Sequence, residues 1–122
     1  MSKQAPNDQL YVVTTFDEPD RVSTPLVLAN CALAAGRDVV LWLTMDGVKL
    51  ARKGEADKVP VKSFAPLREL LNTFTESGGR IGVCPPCGKT HGLADEDLLV
   101  NAEWMGAAAM LEVSAGRQTH TF

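Results

Sequence analysis

The segment Cys84-Pro85-Pro86-Cys87 sets two of the chain's three cysteines two residues apart, with Lys89 and His91 close behind. Sulfur chemistry runs through the thiolate, which is stabilised by free backbone N–H groups, nearby cations or a helix N-terminus. Lys89 and His91 can supply positive character to the pair. A proline disfavours helical geometry in the residue before it. Pro85 therefore keeps Cys84 out of the helical region, Pro86 does the same to Pro85, and the pair is expected on a stiff, extended turn that a partner can reach.

Three chemistries compete for such a pair. In the first, Cys84 attacks a sulfur donor and carries the sulfur as a persulfide, and Cys87 resolves it by closing a disulfide. In the second, the pair is a dithiol redox couple. Cys-x-x-Cys has the right spacing, but in thioredoxin-like sites the motif opens a helix, whereas here Gly88 and a polar stretch follow Cys87. In the third, the pair joins His91 as zinc ligands, since Cys-Pro-x-Cys-Gly resembles a zinc-ribbon knuckle. A structural zinc needs four ligands, no second Cys-x-x-Cys exists, and His120 is the only other imidazole. Cys31, among Ala, Leu and Asn on an apolar helix, reads as a small buried hydrophobe. No Gly-rich phosphate loop follows a strand, so no nucleotide or flavin cofactor is expected.

The elements that must position the motif alternate along the chain. Leu10 to Thr15 and Asp38 to Thr44 are runs of β-formers, and the second is nearly continuous in apolar character, which suits a strand covered on both faces. "RIGVC", Arg80 to Cys84, is a third short strand, and "RQTHTF" closes the chain as a last one. Between them, Val22, Leu26, Ala29 and Leu33 repeat at helical spacing, with Pro19 or Pro25 in the first turn and Gly36 as the stop. Phe64, Leu67, Leu70, Leu71 and Phe74 form one stripe of a second helix, with Ser63 as its cap and Gly78-Gly79 at its end. A third runs from about Met105 to Ala115. Strand and helix in alternation predict a single-domain, three-layer α/β fold, with a mostly parallel sheet of about five strands and helices on both faces. Residues 1–9 read as a polar tail and 10–122 as the domain. Sites in such sheets form beyond the carboxyl ends of the strands, which is where Cys84 stands. Asp46 and Gly47 face the same edge, the first as a turn or capping residue and the second as a turn glycine.

The totals narrow the partners. With 122 residues the chain can bury a core, and 45% hydrophobic against 22% charged content marks it as globular. A net charge of −3 leaves no basic footprint, which argues against a nucleic-acid partner. The longest apolar stretch is too short to span a bilayer, the start lacks an apolar signal region, and three cysteines cannot close a disulfide framework. A cytoplasmic protein with no membrane partner is the expectation.

The order "DRVSTPLVLANCALAAGRDVVLWLTMDGVKLARKG", "FAPLRELLNTFTESGGRIGVCPPCGKTHGL", "LLVNAEWMGAAAMLEVSAGRQTHTF" resembles the DsrE/DsrF-like family, small sulfur-relay proteins of the TusD and YchN type. Its markers are A-x-A-A-G-x-D-V-V closing the first helix into the second strand, DGV after that strand, and a cysteine ending the third. The resemblance implies a compact α/β fold, subunits associating as trimers or hexamers, and persulfide carriage on the strand-end cysteine, here Cys84. It implies sulfur donors and acceptors that are other proteins. Cys87 has no fixed counterpart in the relay members, and the resemblance does not vouch for Lys89 or His91. The reading that follows is a sulfur carrier of the sulfurtransferase type with Cys84 as nucleophile, Cys87 as resolving thiol, and Lys89 and His91 as electrostatic helpers. The alternatives are a dithiol redox protein, or a non-catalytic oligomeric scaffold with a metal or small-molecule site at the same loop.

Overall fold

The structure, a computed structural model, describes residues 7–122. Five strands form one sheet: β1 (Gln9–Val13), β2 (Val39–Leu43), β3 (Arg80–Val83), β4 (Ala102–Trp104) and β5 (Gln118–Thr121). Their order is β4-β3-β2-β1-β5 and every pairing is parallel. The helices are α1 (Pro19–Ala34), α2 (Leu67–Glu76), α3 (Pro85–Thr90) and α4 (Ala107–Val113). Of the expected tail, residues 1–6 lie outside the described residues, and Gln9 already opens β1.

The alternation of strand side chains builds two cores. Val13, Leu41, Leu43, Ile81 and Val83 meet Val22, Leu26 and Ala29 of α1 and Leu67, Leu71 and Phe74 of α2 on one face. Leu10, Val40, Trp42 and Met105 form a smaller cluster on the other, under Met110 and Val113 of α4. All five residues of β2 are buried, as a central strand covered on both faces requires. The Trp42 indole N–H donates to the Met105 carbonyl at 2.9 Å, so the polar edge of this buried ring is satisfied.

Three sequence expectations change, and β4 is a strand that the sequence does not locate. β4 is a three-residue edge strand of partly exposed side chains, so it leaves no apolar run to read. Pro25 is in the interior of α1, which starts at Pro19. Cys31 is exposed, not buried; it stands two residues beyond buried Ala29, about 200° around the helix. Phe64 and Ser63 do not belong to α2, which starts after Pro66, because proline disfavours helical geometry in the residue before it. Phe64 is 39% exposed. Ser63 instead donates its hydroxyl (2.8 Å) and N–H (3.3 Å) to the Asp20 carboxylate, tying the loop before α2 to the first turn of α1. Those bonds, the hydroxyl's above all, hold the Asp20 carboxyl below its ordinary range.

Candidate functional site: a thiol pair at the carboxyl edge of the sheet

The parallel register Leu43↔Val83 brings the ends of β2 and β3 side by side, so Thr44 and Cys84 leave the sheet as neighbours. The Cys84 N–H still donates to the Leu43 carbonyl at 2.9 Å. Cys84 is extended (φ −64°, ψ 117°), as a residue before proline should be, and half-buried against the Leu10–Trp42 cluster. Its carbonyl then accepts the Gly88 N–H at 2.9 Å and begins α3.

The expected extended turn is therefore a helix. Pro85 and Pro86 occupy its first turn, where their missing N–H groups would have no intrahelical partner in any case. The preference that Pro86 exerts on Pro85 is overridden. Gly88, read as a helix-weakening residue, is retained in α3 because the side chain it lacks leaves room for the Trp104 ring: a Cβ there would meet that ring at 2.5 Å. Cys-Pro-Pro-Cys thus opens a helix, with Cys84 as its cap and Cys87 in its first turn.

Cys87 points back across the edge to the segment after β2. Its sulfur lies 3.5 Å from Thr44 Oγ1. The Met45 N–H and the Cys84 thiol act on it in the same direction, favouring the thiolate. Met45 has a φ of +53°, the one non-glycine among the described residues in the left-handed region. Such a residue costs of order 1 kcal/mol or more, and strain of this kind concentrates at working sites. The Thr44 hydroxyl is the largest influence on Cys87. Partial burial and the Asp46 carboxylate oppose it, and the net effect lowers the Cys87 thiol below its ordinary pKa.

The next residues fix this segment in place. Thr44 N–H donates to the Val13 carbonyl at 3.0 Å, and Gly47 passes so close to the same carbonyl that a Cβ would overlap it. Gly47 is thus required by close approach to β1 rather than by turn geometry. Of the expected helpers, His91 lies four residues after Cys87 on the same side of α3. Its Nε2 is 3.1 Å from Asp46 Oδ1, so the imidazole engages a carboxylate and not a sulfur. Lys89 is two residues from Cys87 and faces away, beside Pro85, Leu93 and Trp104. His120, on exposed β5, packs edge-on against Tyr11 with ring centroids 5.6 Å apart. Among the described residues, no three His, Cys, Asp or Glu side chains gather as a metal site would need.

Thr44 and Met45 are the site residues that sequence reading missed. The signal was present. In a parallel sheet the residues just past neighbouring strands converge, and Thr44 follows β2 as Cys84 follows β3.

The profile of the DsrE/DsrF-like family matches residues 9–115. An uncharacterized protein of Methanopyrus kandleri, MK0008, is 38% identical over 85 residues, 69% of this chain and 66% of that protein. MJ0989 of Methanocaldococcus jannaschii is 36% identical over 84 residues, 69% of this chain and 70% of that protein. MJ0760 of the same organism is 28% identical over 106 residues, 85% of this chain but 38% of that protein. The chain thus spans just under two thirds of MK0008 and well under half of MJ0760. Among solved structures, the ychN protein from E. coli superposes with a TM-score of 0.75 at 17% identity, covering 94% of this chain and 99% of that one. MTH1491 from Methanobacterium thermoautotrophicum, a protein of unknown function, gives 0.70 at 14% identity, covering 95% and 100%. At those identities the two structures speak to the fold, the same α/β architecture built here on five parallel strands. The extent of the profile match settles the family: the chain belongs to the DsrE/DsrF-like family.

Proposed function

We propose that this protein is a persulfide carrier in a sulfur relay and that Cys87, rather than Cys84, takes the sulfur first. The observation that carries the reading is the Thr44 hydroxyl 3.5 Å from the Cys87 sulfur, an influence that the Met45 N–H reinforces in lowering the thiol's pKa. Donors placed around a sulfur favour its thiolate, which is the nucleophile. The Cys87 thiolate attacks the outer sulfur of a donor persulfide, R–S–SH. A bond forms between the two sulfurs, the donor's S–S bond breaks, and the donor leaves as R–S⁻. The product, Cys87–S–SH, hands the same outer sulfur to an acceptor thiolate by the reverse reaction, and no oxidant is consumed. Cys84 is the resolving thiol. Attack by its thiolate on the inner sulfur releases HS⁻ and leaves a Cys84–Cys87 disulfide, the pair losing the two electrons that the released sulfur gains.

Family membership supports the relay and protein partners at either end of it. Assembly as a homo-oligomer, a cytoplasmic setting and one domain over 10–122 belong to the same proposal. No helix among the described residues is long and apolar enough to cross a membrane. Ala107, Ala108, Ala109 and Leu111 of α4 are exposed, as is every residue of β5, and association between subunits would cover such surfaces.

A dithiol redox protein is the second reading. It gains from the structure a feature that the sequence reading denied it, a Cys-x-x-Cys that opens a helix. Intact-protein mass spectrometry separates the two. After incubation with a small-molecule persulfide, the Cys84→Ser variant, which cannot resolve, should gain about 32 Da, mapped to Cys87 and lost on adding dithiothreitol. A Cys84→Ser variant that gains no sulfur, beside a parent protein that loses about 2 Da with protein and donor alike handled without oxygen, would favour the redox couple and overturn the carrier.

A further inference from the structure

On the side of α3 that faces away from Cys87, Pro85, Lys89, Gly92, Leu93 and Trp104 line an open groove of about 530 Å³ with predominantly apolar walls. Its main wall is held by a hydrogen bond and by packing. The Trp104 indole N–H donates to Asp95 Oδ1 at 2.6 Å, and the edge of the ring lies over Gly88 of α3. The ring is only half-buried, so its remaining surface is available. Amphipathic aromatic rings held in one orientation are effective contact residues, since little entropy is lost when something packs on them.

Lys89 supplies the polar group of this groove. It is exposed, and among the described residues its ammonium has no ion pair and no hydrogen bond. The cleft on the other side of His91 is different. Its cations are already engaged: Arg52 with Glu55 and Asp97, Lys58 with Glu55, and Lys49 with Asp17. An unpaired cation beside an apolar wall, on a chain whose net charge is −3, selects for a carboxylate next to an apolar side chain. Because Pro85 both lines the groove and follows Cys84 directly, a chain segment lying there leads to the head of α3, where Cys84 caps the helix and Cys87 stands in its first turn.

We infer that this groove docks the cysteine-bearing segment of a partner protein, one that sets an apolar side chain on Trp104, Pro85 and Leu93 and an aspartate or glutamate on Lys89. The identity of the transferred atom rests on the sulfur-relay reading; the docking preference does not.

Two synthetic peptides test it, alike in a Leu-Cys core and flanked either by Asp or by Lys. Each is presented to the reduced protein as a mixed disulfide with a chromophoric thiol. A protein thiolate attacks the peptide sulfur, the peptide becomes disulfide-linked to the protein, and the chromophore leaves as its thiolate. The Asp peptide should react about tenfold faster at low salt, and Lys89→Glu should reverse the order. Serine versions of both peptides test docking without sulfur chemistry. The Asp version should change the tryptophan fluorescence saturably, and Trp104→Phe should remove that change. Equal rates for the two disulfides, a preference that survives Lys89→Glu, or no fluorescence response to the Asp-Ser peptide would overturn the docking surface. Asp-Ser binding in a protein that takes no sulfur from a persulfide would leave docking standing and remove the relay. Sulfur uptake without any peptide preference would do the opposite.

Discussion

Cys87→Ser is expected to lose sulfur uptake from a small persulfide by about a hundredfold or more, while Cys84→Ser takes up sulfur at close to the parental rate. The asymmetry comes from where the hydrogen-bond donors are. A serine hydroxyl in place of the Cys87 thiol would keep its contact with Thr44 but would not ionise near neutral pH, so the nucleophile is gone. Cys84 faces the small apolar cluster under α4 and is one of the lesser influences on the Cys87 thiol. Its removal should instead block the resolving step. Cys84→Ser would then hold its persulfide and release no sulfide, where the parent protein releases sulfide and closes a disulfide. Uptake is followed by mass spectrometry and release by a sulfide assay. An inactive Cys84→Ser beside an active Cys87→Ser would restore the order that the family correspondence suggests, and would refute the role given to Thr44 and Met45.

The second large effect is on the frame. Gly47→Ala forces a methyl group onto the Val13 carbonyl, and neither partner is the far end of a flexible side chain. Overpacking against backbone should cost about 3 kcal/mol, lowering Tm by roughly 10 °C in a domain of this size. The segment from Thr44 to Ala51 has to shift outward, so the variant should also lose thiolate character at Cys87 at temperatures where it is still folded. Gly106→Ala is the control. A Cβ there meets nothing within 4 Å, and the change should cost less than about 1 kcal/mol even at a helix cap. Thermal melts of the two variants, with Cys87 alkylation measured well below Tm, check both halves of this expectation.

Much of the fold was legible because its determinants are local. The apolar run Val39–Leu43 suits a strand covered on both faces, and the alternation around it leaves few arrangements besides a parallel sheet. Gly36 does end the first helix with φ +85°. What escaped depends on contacts distant in sequence. The two prolines, Gly88 and the polar stretch after it speak against a helix at Pro85–Thr90, yet Gly88 is accounted for by Trp104, sixteen residues later in the numbering and on another strand. The short edge strand β4 owes its existence to pairing with Ile81 and Val83 rather than to its own residues. At the site, the position of Cys84 at a strand end followed from its neighbours in sequence. The partners of Cys87 did not, because Thr44 and Met45 reach it only through the β2–β3 register and an unusual φ at Met45. Lys89 and His91 were near the cysteines in sequence, but helical spacing turns the first away and Asp46 occupies the second.

The rate of alkylation of each cysteine as a function of pH, resolved by peptide mass spectrometry, addresses the central claim most directly. Thiolate alone reacts, so the midpoint of the profile reports the fraction ionised. For a thiol whose pKa is lowered by donors, the reactive form persists as pH falls below the ordinary value of about 8.5 and is lost only on passing the lowered one. Cys87 in the parent protein should therefore show its midpoint below the ordinary value, and Thr44→Val should move it upward by removing the largest stabilising contact. A Cys87 midpoint at or above the ordinary value, or one that Thr44→Val leaves in place, would contradict the account.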